Sequence, residues 1–353
     1  MDELFSPVEL GAFKLRNRIV MSPMTRSRAG KGDVPTELQA EYYRQRASAG
    51  LVVTEGIQPS PAGKGYCRTP GLYSAPQTEG WRRVAAAVHA EDGVVVAQLM
   101  HCGRVASRLN KEDDSEIVAP SAIRANAKIF TDKNGLVDID KPRALEVVEI
   151  GDVVREYRQA ALNAREAGLD GVELHCSSGY LPMQFLSSNS NRRTDRYGGS
   201  TENRIRFTME VLEALGDAIG YDRVGLRLCP GFDYNDIDDD NPRETYGLLL
   251  EKSSKLGLAY LHLVRRSFPK VDNFELVKAH WRGKLILNNE LTGETAAQVI
   301  AAGDADAVSF GRLFIGNPDL VSRLRRGVEL AGYDTKTVYT PGPEGYTDYS
   351  TAD

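Results

Sequence analysis

A single (β/α)8 barrel is the fold this sequence predicts, and three observations predict it. Short β-branched runs alternate with segments of helical period from one end of the chain to the other, the pattern of repeated βα units around a parallel sheet. Eight such units follow one another with no break in composition, which predicts one domain over residues 1–353. No Gly-x-Gly-x-x-Gly turn follows the first strand, and a doubly wound open sheet would want one there.

The elements follow in chain order. Residues 8–15, Val-Glu-Leu-Gly-Ala-Phe-Lys-Leu, alternate around Gly11 and read as a hairpin able to plug the mouth opposite the strand C-termini. Strands are expected at 18–21, 51–55, 94–99, 171–175, 224–228, 260–264, 284–288 and 307–310. Helices are expected between them at 36–49, 78–91, 147–167, 203–219, 245–256, 273–280, 293–301 and 318–327. The seventh helix places Ala296, Val299 and Ile300 at helical spacing, and the eighth does so with Leu320, Val321, Leu324 and Val328. Each therefore has one face to lay on a barrel. Two stretches, 103–145 and 180–202, are too long for simple connections. Both follow strands, the third and fourth, so both insert at the catalytic face, where long loops build or cover a site. The tail beyond Tyr333, with Pro341, Gly342, Pro343 and Gly345, reads as irregular chain folding back over the barrel.

Bulk properties exclude several function classes. A formal net charge of -5 leaves no basic footprint for nucleic acid or an anionic membrane. No apolar run approaches the roughly eighteen residues of a membrane span. The acidic start Met1-Asp2-Glu3 is the reverse of a signal or transit peptide, so the cytosol is the expected compartment. Cys67, Cys102, Cys176 and Cys229 form no Cys-x-x-Cys pair and have no His at zinc-ligand spacing, which predicts reduced thiols and no metal site. Residues 233–241 are acidic but lack the Gly and terminal Glu of a calcium loop, and read as a solvated connection.

The chemistry collects at strand ends. The fourth strand closes on Glu173-Leu174-His175-Cys176-Ser177-Ser178-Gly179-Tyr180. A His at that edge with a Tyr five residues on supplies a donor for an oxyanion and a phenolic proton at neutral pH; alternatively, the His is structural and caps a loop. The first strand ends in Ser22-Pro23-Met24-Thr25-Arg26, the second in Thr54-Glu55-Gly56, the third in Gln98-Leu99-Met100-His101, and the fifth carries Arg227. An inward Gln and Arg are costly unless something polar meets them. Asn288-Asn289-Glu290-Leu291-Thr292 and Phe310-Gly311-Arg312 follow the seventh and eighth strands, where this fold commonly binds phosphate. A polar floor beside a phosphate pocket suggests a phosphorylated cofactor, and a barrel with structural ion pairs alone is the alternative.

With these residues assembled, the chain resembles the old yellow enzyme family of flavin-dependent ene-reductases, close to its pentaerythritol tetranitrate reductase branch. The resemblance runs from Leu4-Phe5-Ser6-Pro7 through Met21-Ser22-Pro23-Met24-Thr25-Arg26, Glu41-Tyr42-Tyr43-Arg44-Gln45-Arg46-Ala47 and His101-Cys102-Gly103-Arg104. It continues through Pro142-Arg143-Ala144-Leu145, Gln184-Phe185-Leu186, Glu202-Asn203-Arg204, Asn317-Pro318-Asp319-Leu320 and Gly345-Tyr346-Thr347-Asp348-Tyr349. The run Arg193-Thr194-Asp195-Arg196-Tyr197-Gly198-Gly199-Ser200 is its most specific part.

The resemblance implies a non-covalent flavin mononucleotide (FMN) at the strand C-termini, with NADH or NADPH as hydride donor. Pro23, Met24 and Thr25 would line the isoalloxazine, Gly56 and Gln98 would meet its pyrimidine side, and Arg227 would sit by N1. Gly311, Arg312 and the Asn289-Glu290-Leu291-Thr292 loop would hold the phosphate. The substrate, an α,β-unsaturated carbonyl or nitro compound, would take hydride from flavin N5 and a proton from Tyr180, its oxygen polarised by His175. Tyr66 and Tyr339 match positions that shape the pocket, or are packing aromatics. Partners would be small molecules only, the protein a monomer or homodimer.

Three positions depart from the family pattern. The phosphate loop reads Asn289-Glu290-Leu291-Thr292, whereas relatives usually place glycines in it, so Glu290 is expected to point away from the phosphate. Ser178 replaces the usual Asn or His three residues after His175, and Met100 replaces a common Trp. These smaller or more flexible side chains leave two alternatives to an enone reductase: a flavin-dependent desaturase or isomerase of a specialised metabolite, and a flavin-binding protein with little turnover.

Overall fold

Eight parallel strands close a barrel: Ile19–Met21, Leu51–Ile57, Val95–Leu99, Gly171–Cys176, Val224–Leu228, Tyr260–Val264, Leu285–Asn288 and Ala307–Phe310. The computed structural model describes residues 2–112 and 114–352. The ring follows chain order, and Val308 paired with Ile19 closes it. Every expected strand is present, three with the expected bounds and the other five with an end displaced by one or two residues. Because strands are buried on both faces, their runs are near-continuously apolar, as a covered parallel sheet requires.

Helices surround the barrel at Glu37–Gln45, Ala75–His89, Val147–Glu166, Thr201–Ile219, Pro242–Ser253, Asn273–His280, Gly293–Ala301 and Leu320–Arg326. Three begin earlier than expected because capping residues lie upstream of the apolar periodicity. Ser74 with Gln77 forms a capping box that starts the second helix three residues before Thr78. Ser200 and Asn241 do the same for the fourth and fifth, accepting from the backbone N–H of Asn203 and Glu244. The first helix stops at Gln45, short of the expected 49. Arg46, fully buried, donates instead to the carbonyls of Tyr42, Phe314 and Ile315.

The hairpin Val8–Leu10/Phe13–Leu15 plugs the lower mouth as expected. Its apolar side chains join Val20, Leu51, Val53, Val96 and Ile286 in one cluster. Gly11 turns the hairpin at a φ of 55°, and a Cβ there would lie 2.3 Å from the carbonyl oxygen of Asp222. That is too close for any side chain. The stretch 103–145 carries the hairpin Lys128–Thr131/Gly135–Asp138, and 180–202 carries the helix Leu181–Leu186. The tail folds back as expected. Tyr346 is buried, stacked on Tyr42 at 4.0 Å and flanked by the guanidinium groups of Arg26 and Arg28.

Residues 233–241 are largely solvated as expected, with Asp233, Tyr234, Asp236, Asp238, Asp240 and Asn241 exposed, but the run is also anchored: Ile237 and Asp239 are buried and the Asn235 amide donates to the Ser178 carbonyl at 2.8 Å. Acidity suggested solvent exposure, but the loop's backbone is engaged from below. The carbonyls of Asn235 and Asp236 accept from the buried Arg104 guanidinium. The chain thus has a third structured excursion, after the fifth strand.

Candidate active site

Alternation along the strands sends Gln98, Glu173, Arg227, His262 and Ser309 into the upper barrel, where hydrogen bonds join them. His175 lies two residues beyond Glu173 on the same strand, in register with Arg227. It therefore stands one layer above Glu173, at the catalytic rim and beside Arg227 of the next strand. His175 is 7 % exposed, and its Nδ1 has no hydrogen-bond partner among the described residues. Burial, reinforced by the Arg227 charge, lowers its pKa to about 3, so the imidazole is neutral at physiological pH.

Gly179, at a φ of 80°, turns the chain from the strand end to Tyr180, which opens the helix Leu181–Leu186. The Tyr180 ring meets His175 edge-on at 4.9 Å. Its hydroxyl donates to the Tyr66 hydroxyl at 3.1 Å, and the two phenol rings stand at 89°. Burial, followed by the neighbouring Tyr66, holds the Tyr180 phenol well above its ordinary pKa, so it keeps its proton at neutral pH. Met100 belongs to the same cluster, with Cys102, Val105, Ala125, Ile129, Ile139 and Tyr180. A Cβ on Gly56 would lie 2.5 Å from the Met100 sulfur, so the thioether covers that glycine. Ser178 is half-buried at a φ of 57°, with its hydroxyl 3.5 Å from that of Ser177.

On the opposite wall Pro23, Met24 and Thr25 are half-buried behind the first strand, and Gly311 lies close to Met24. Gln98 is buried, its amide nitrogen donating to Glu173. Arg227 is held by His262 and by Asn288, whose Oδ1 accepts at 3.2 Å. Arg312 is exposed at the start of the short helix Arg312–Gly316, without an ion pair among the described residues. Asn289 and Glu290 are exposed and share an outer groove with Leu291, Arg265 and Thr295. Tyr339 is 58 % exposed at the rim, tied down by its backbone carbonyl to Arg68.

His175, Tyr180, Tyr66 and Met100 are therefore brought together, with Ser178 adjoining, while Tyr339 is exposed and outside that buried cluster. Sequence reasoning missed four participants. Asn235 was hidden in the acidic loop, where charge gives no sign of a specific contact. Glu173, His262 and Ser309 were signalled by polar residues at inward positions of apolar strands, most clearly His262 within Tyr260-Leu261-His262-Leu263-Val264.

The profile of the NADH:flavin oxidoreductase / NADH oxidase family matches residues 3–331. The chain is 40 % identical to a protein of Oryza sativa subsp. japonica named 12-oxophytodienoate reductase 7, over 98 % of this chain and 94 % of the relative. It is 38 % identical to a probable flavin mononucleotide-dependent alkene reductase of Leishmania infantum, over 99 % and 97 %. Among solved structures, morphinone reductase in complex with tetrahydroNAD superposes with a TM-score of 0.94 at 42 % identity, covering 99 % of this chain and 98 % of that one. A site at the strand C-termini of a barrel, joined to similarity over nearly the whole chain, places this protein in the NADH:flavin oxidoreductase / NADH oxidase family, to which the old yellow enzymes belong.

Proposed function

We propose that this protein is an FMN-dependent NAD(P)H oxidoreductase that reduces the activated C=C bond of α,β-unsaturated carbonyl or nitro compounds. The observation that carries the reading is the pair formed by neutral, buried His175, with its unpartnered Nδ1, and protonated Tyr180 beside it. The donor set suits FMN. Arg227 offers a fixed cation at the barrel mouth, Arg312 a free one, and Gln98 an amide. Pro23, Met24, Thr25 and Gly56 would line the ring system, Arg227 would lie by its N1 edge, and Arg312 with Gly311 would hold the phosphate. Asn289, Glu290 and Leu291 would contribute backbone only.

When bound, FMN supplies the hydride, having first taken it from NADH or NADPH. His175 hydrogen-bonds the substrate oxygen as a neutral donor, which costs no charge burial. Tyr180 gives its proton to the substrate α-carbon, drawn away from the Tyr66 oxygen on which it rests. The Met100, Ile129 and Ile139 cluster keeps water from that proton. Partners are small molecules. We place the protein in the cytosol as a monomer or homodimer; among the described residues no helix is long and apolar enough to cross a membrane.

Anaerobic bleaching of the yellow protein by NAD(P)H, followed by return of colour on adding cyclohexenone, is the expected result. Bleaching with no enone-dependent recovery overturns the proposal. Because His175 stays neutral and Tyr180 protonated across the ordinary assay range, the enone half-reaction should show no limb between about pH 5 and pH 9. A stopped-flow profile with an ionisation in that window would remove one of the two from its role. Arg312→Ala should weaken FMN binding about ten- to hundredfold, the loss of one charge-assisted contact. Isothermal titration of the apoprotein measures this, and unchanged affinity would refute the phosphate assignment.

A further inference from the structure

Gln98 and Arg227 would serve the flavin, but Glu173, His262 and Ser309, which pack with them, have no use in the mechanism above, and burying them is chemically expensive. Glu173 and His262 have no exposed surface at all, and Gln98, Arg227 and Ser309 are buried around them. Barrel interiors at this level are commonly filled by branched apolar side chains, and a buried ion pair is rarely more stabilising than apolar residues of similar volume. The fold alone does not call for this layer.

Its hydrogen bonds define its charges. Glu173 accepts from the Gln98 amide at 2.8 Å through Oε1, and its Oε2 lies 2.8 Å from His262 Nδ1. His262 Nε2 lies 2.7 Å from the Ser309 hydroxyl and 2.6 Å from Arg227 Nη1. Burial lowers the His262 pKa to about 4, with the Arg227 charge in support, so the ring is neutral. A neutral ring must then carry its proton on Nδ1 to satisfy Glu173, leaving Nε2 as the acceptor facing Arg227. Burial pushes the Glu173 carboxyl up, but the hydrogen bonds from His262 and Gln98 and the buried Arg227 charge hold the group below its ordinary value. One anion and one cation therefore share the layer, bridged by an uncharged imidazole.

We propose that Glu173 is a positioning residue and counter-charge for Arg227: through His262 it fixes the guanidinium, and its own charge limits how strongly that cation favours the reduced, anionic flavin. The proposal rests on the reading that places FMN over Arg227. A cation beside the flavin raises its reduction potential by stabilising negative charge, and an anion on the far side of that cation opposes it. Both charges are buried, where screening by salt is weak. Glu173 thus sets the poise of the flavin between its nicotinamide donor and its acceptor without touching either.

The test is spectroelectrochemistry of the FMN-bound protein as wild type, Arg227→Met and Glu173→Gln. The amide of Glu173→Gln keeps an acceptor for His262 and the volume of the site. Arg227→Met should lower the midpoint potential, and Glu173→Gln should raise it by the equivalent of about tenfold in the reduced-to-oxidised ratio. That is the effect expected of one unit charge acting over roughly 10 Å at an effective dielectric constant of about 20, and it equals about 30 mV for a two-electron couple. A shift with Arg227→Met but none, or a fall, with Glu173→Gln overturns the proposal and leaves the flavin reading intact. No shift with either variant overturns both. A second measurement needs no substitution: 15N NMR of the wild-type holoenzyme should find His262 neutral and protonated at Nδ1 from about pH 5 to 8. An imidazolium in that range would mean that His262 already neutralises Glu173, and would overturn the proposal.

Discussion

Tyr180→Phe is expected to slow enone reduction about a hundred- to ten-thousandfold, the range over which a positioned general acid acts, while reduction of the flavin by NAD(P)H keeps its rate. The ring stays in the cluster with Met100 and Ile129 and against His175, so the pocket keeps its shape. What disappears is one proton, and with it the hydrogen bond to Tyr66. Tyr66 then has a free hydroxyl near the site. Its burial holds that phenol above the ordinary range as well, so it remains protonated and sets a floor under the residual rate. The double variant Tyr66→Phe/Tyr180→Phe should therefore be slower than Tyr180→Phe alone. Stopped-flow separation of the two half-reactions is the measurement. Equal slowing of both halves would point to a disturbed flavin, and no slowing of either would return Tyr180 to packing.

Ser178→Asn carries the second large effect and the opposite sign: turnover of small cyclic enones should rise, by as much as about a hundred- to thousandfold if it restores a full oxyanion donor. A Ser hydroxyl ends roughly one bond, about 1.5 Å, nearer the backbone than an Asn amide nitrogen. The side chain at 178 is half-buried, and among the described residues its hydroxyl has only the Ser177 hydroxyl, at 3.5 Å, in hydrogen-bond range. His175 is then left as the sole donor to a substrate oxygen. The backbone favours the exchange, because a φ of 57° is a conformation that Asn adopts more readily than most residues. The Asn235 amide holds the carbonyl of residue 178 and not its side chain, so the loop keeps its anchor. Steady-state rates with cyclohexenone and spectral titration with a phenol are the checks. If both stay unchanged while His175→Ala weakens them, position 178 does not reach the substrate oxygen.

The parts of this site that sequence made legible are those where chemistry and local geometry coincide. A strand that ends in His175 and turns through Gly179 to Tyr180 carries its own placement, because a parallel barrel puts every strand end on one face. Pro23 to Thr25, Gln98 and Arg227 were readable for the same reason. Helix starts were less so: Ser74, Ser200 and Asn241 act through a hydrogen bond to one backbone N–H, a signal that apolar periodicity overlooks.

The acidic run 233–241 is mostly exposed as its charge suggests, but its anchoring was not legible, because net charge reports average solvation whereas the position of that loop depends on single contacts to Arg104 and Ser178. Those partners lie far away in the chain. Tyr66 and Tyr180 are 114 residues apart, Gln98 and Glu173 are 75, and Glu173 and His262 are 89. Only closure of the barrel brings such pairs within hydrogen-bonding distance. Sequence by itself determined the eight βα units, the strand that carries each functional side chain, and the family. Tertiary structure alone decided which side chains meet and what charge each one holds. Periodicity and motif are properties of neighbouring residues, whereas the low-dielectric interior that keeps His175 neutral, Tyr180 protonated and Glu173 ionised exists only once distant strands have closed around it.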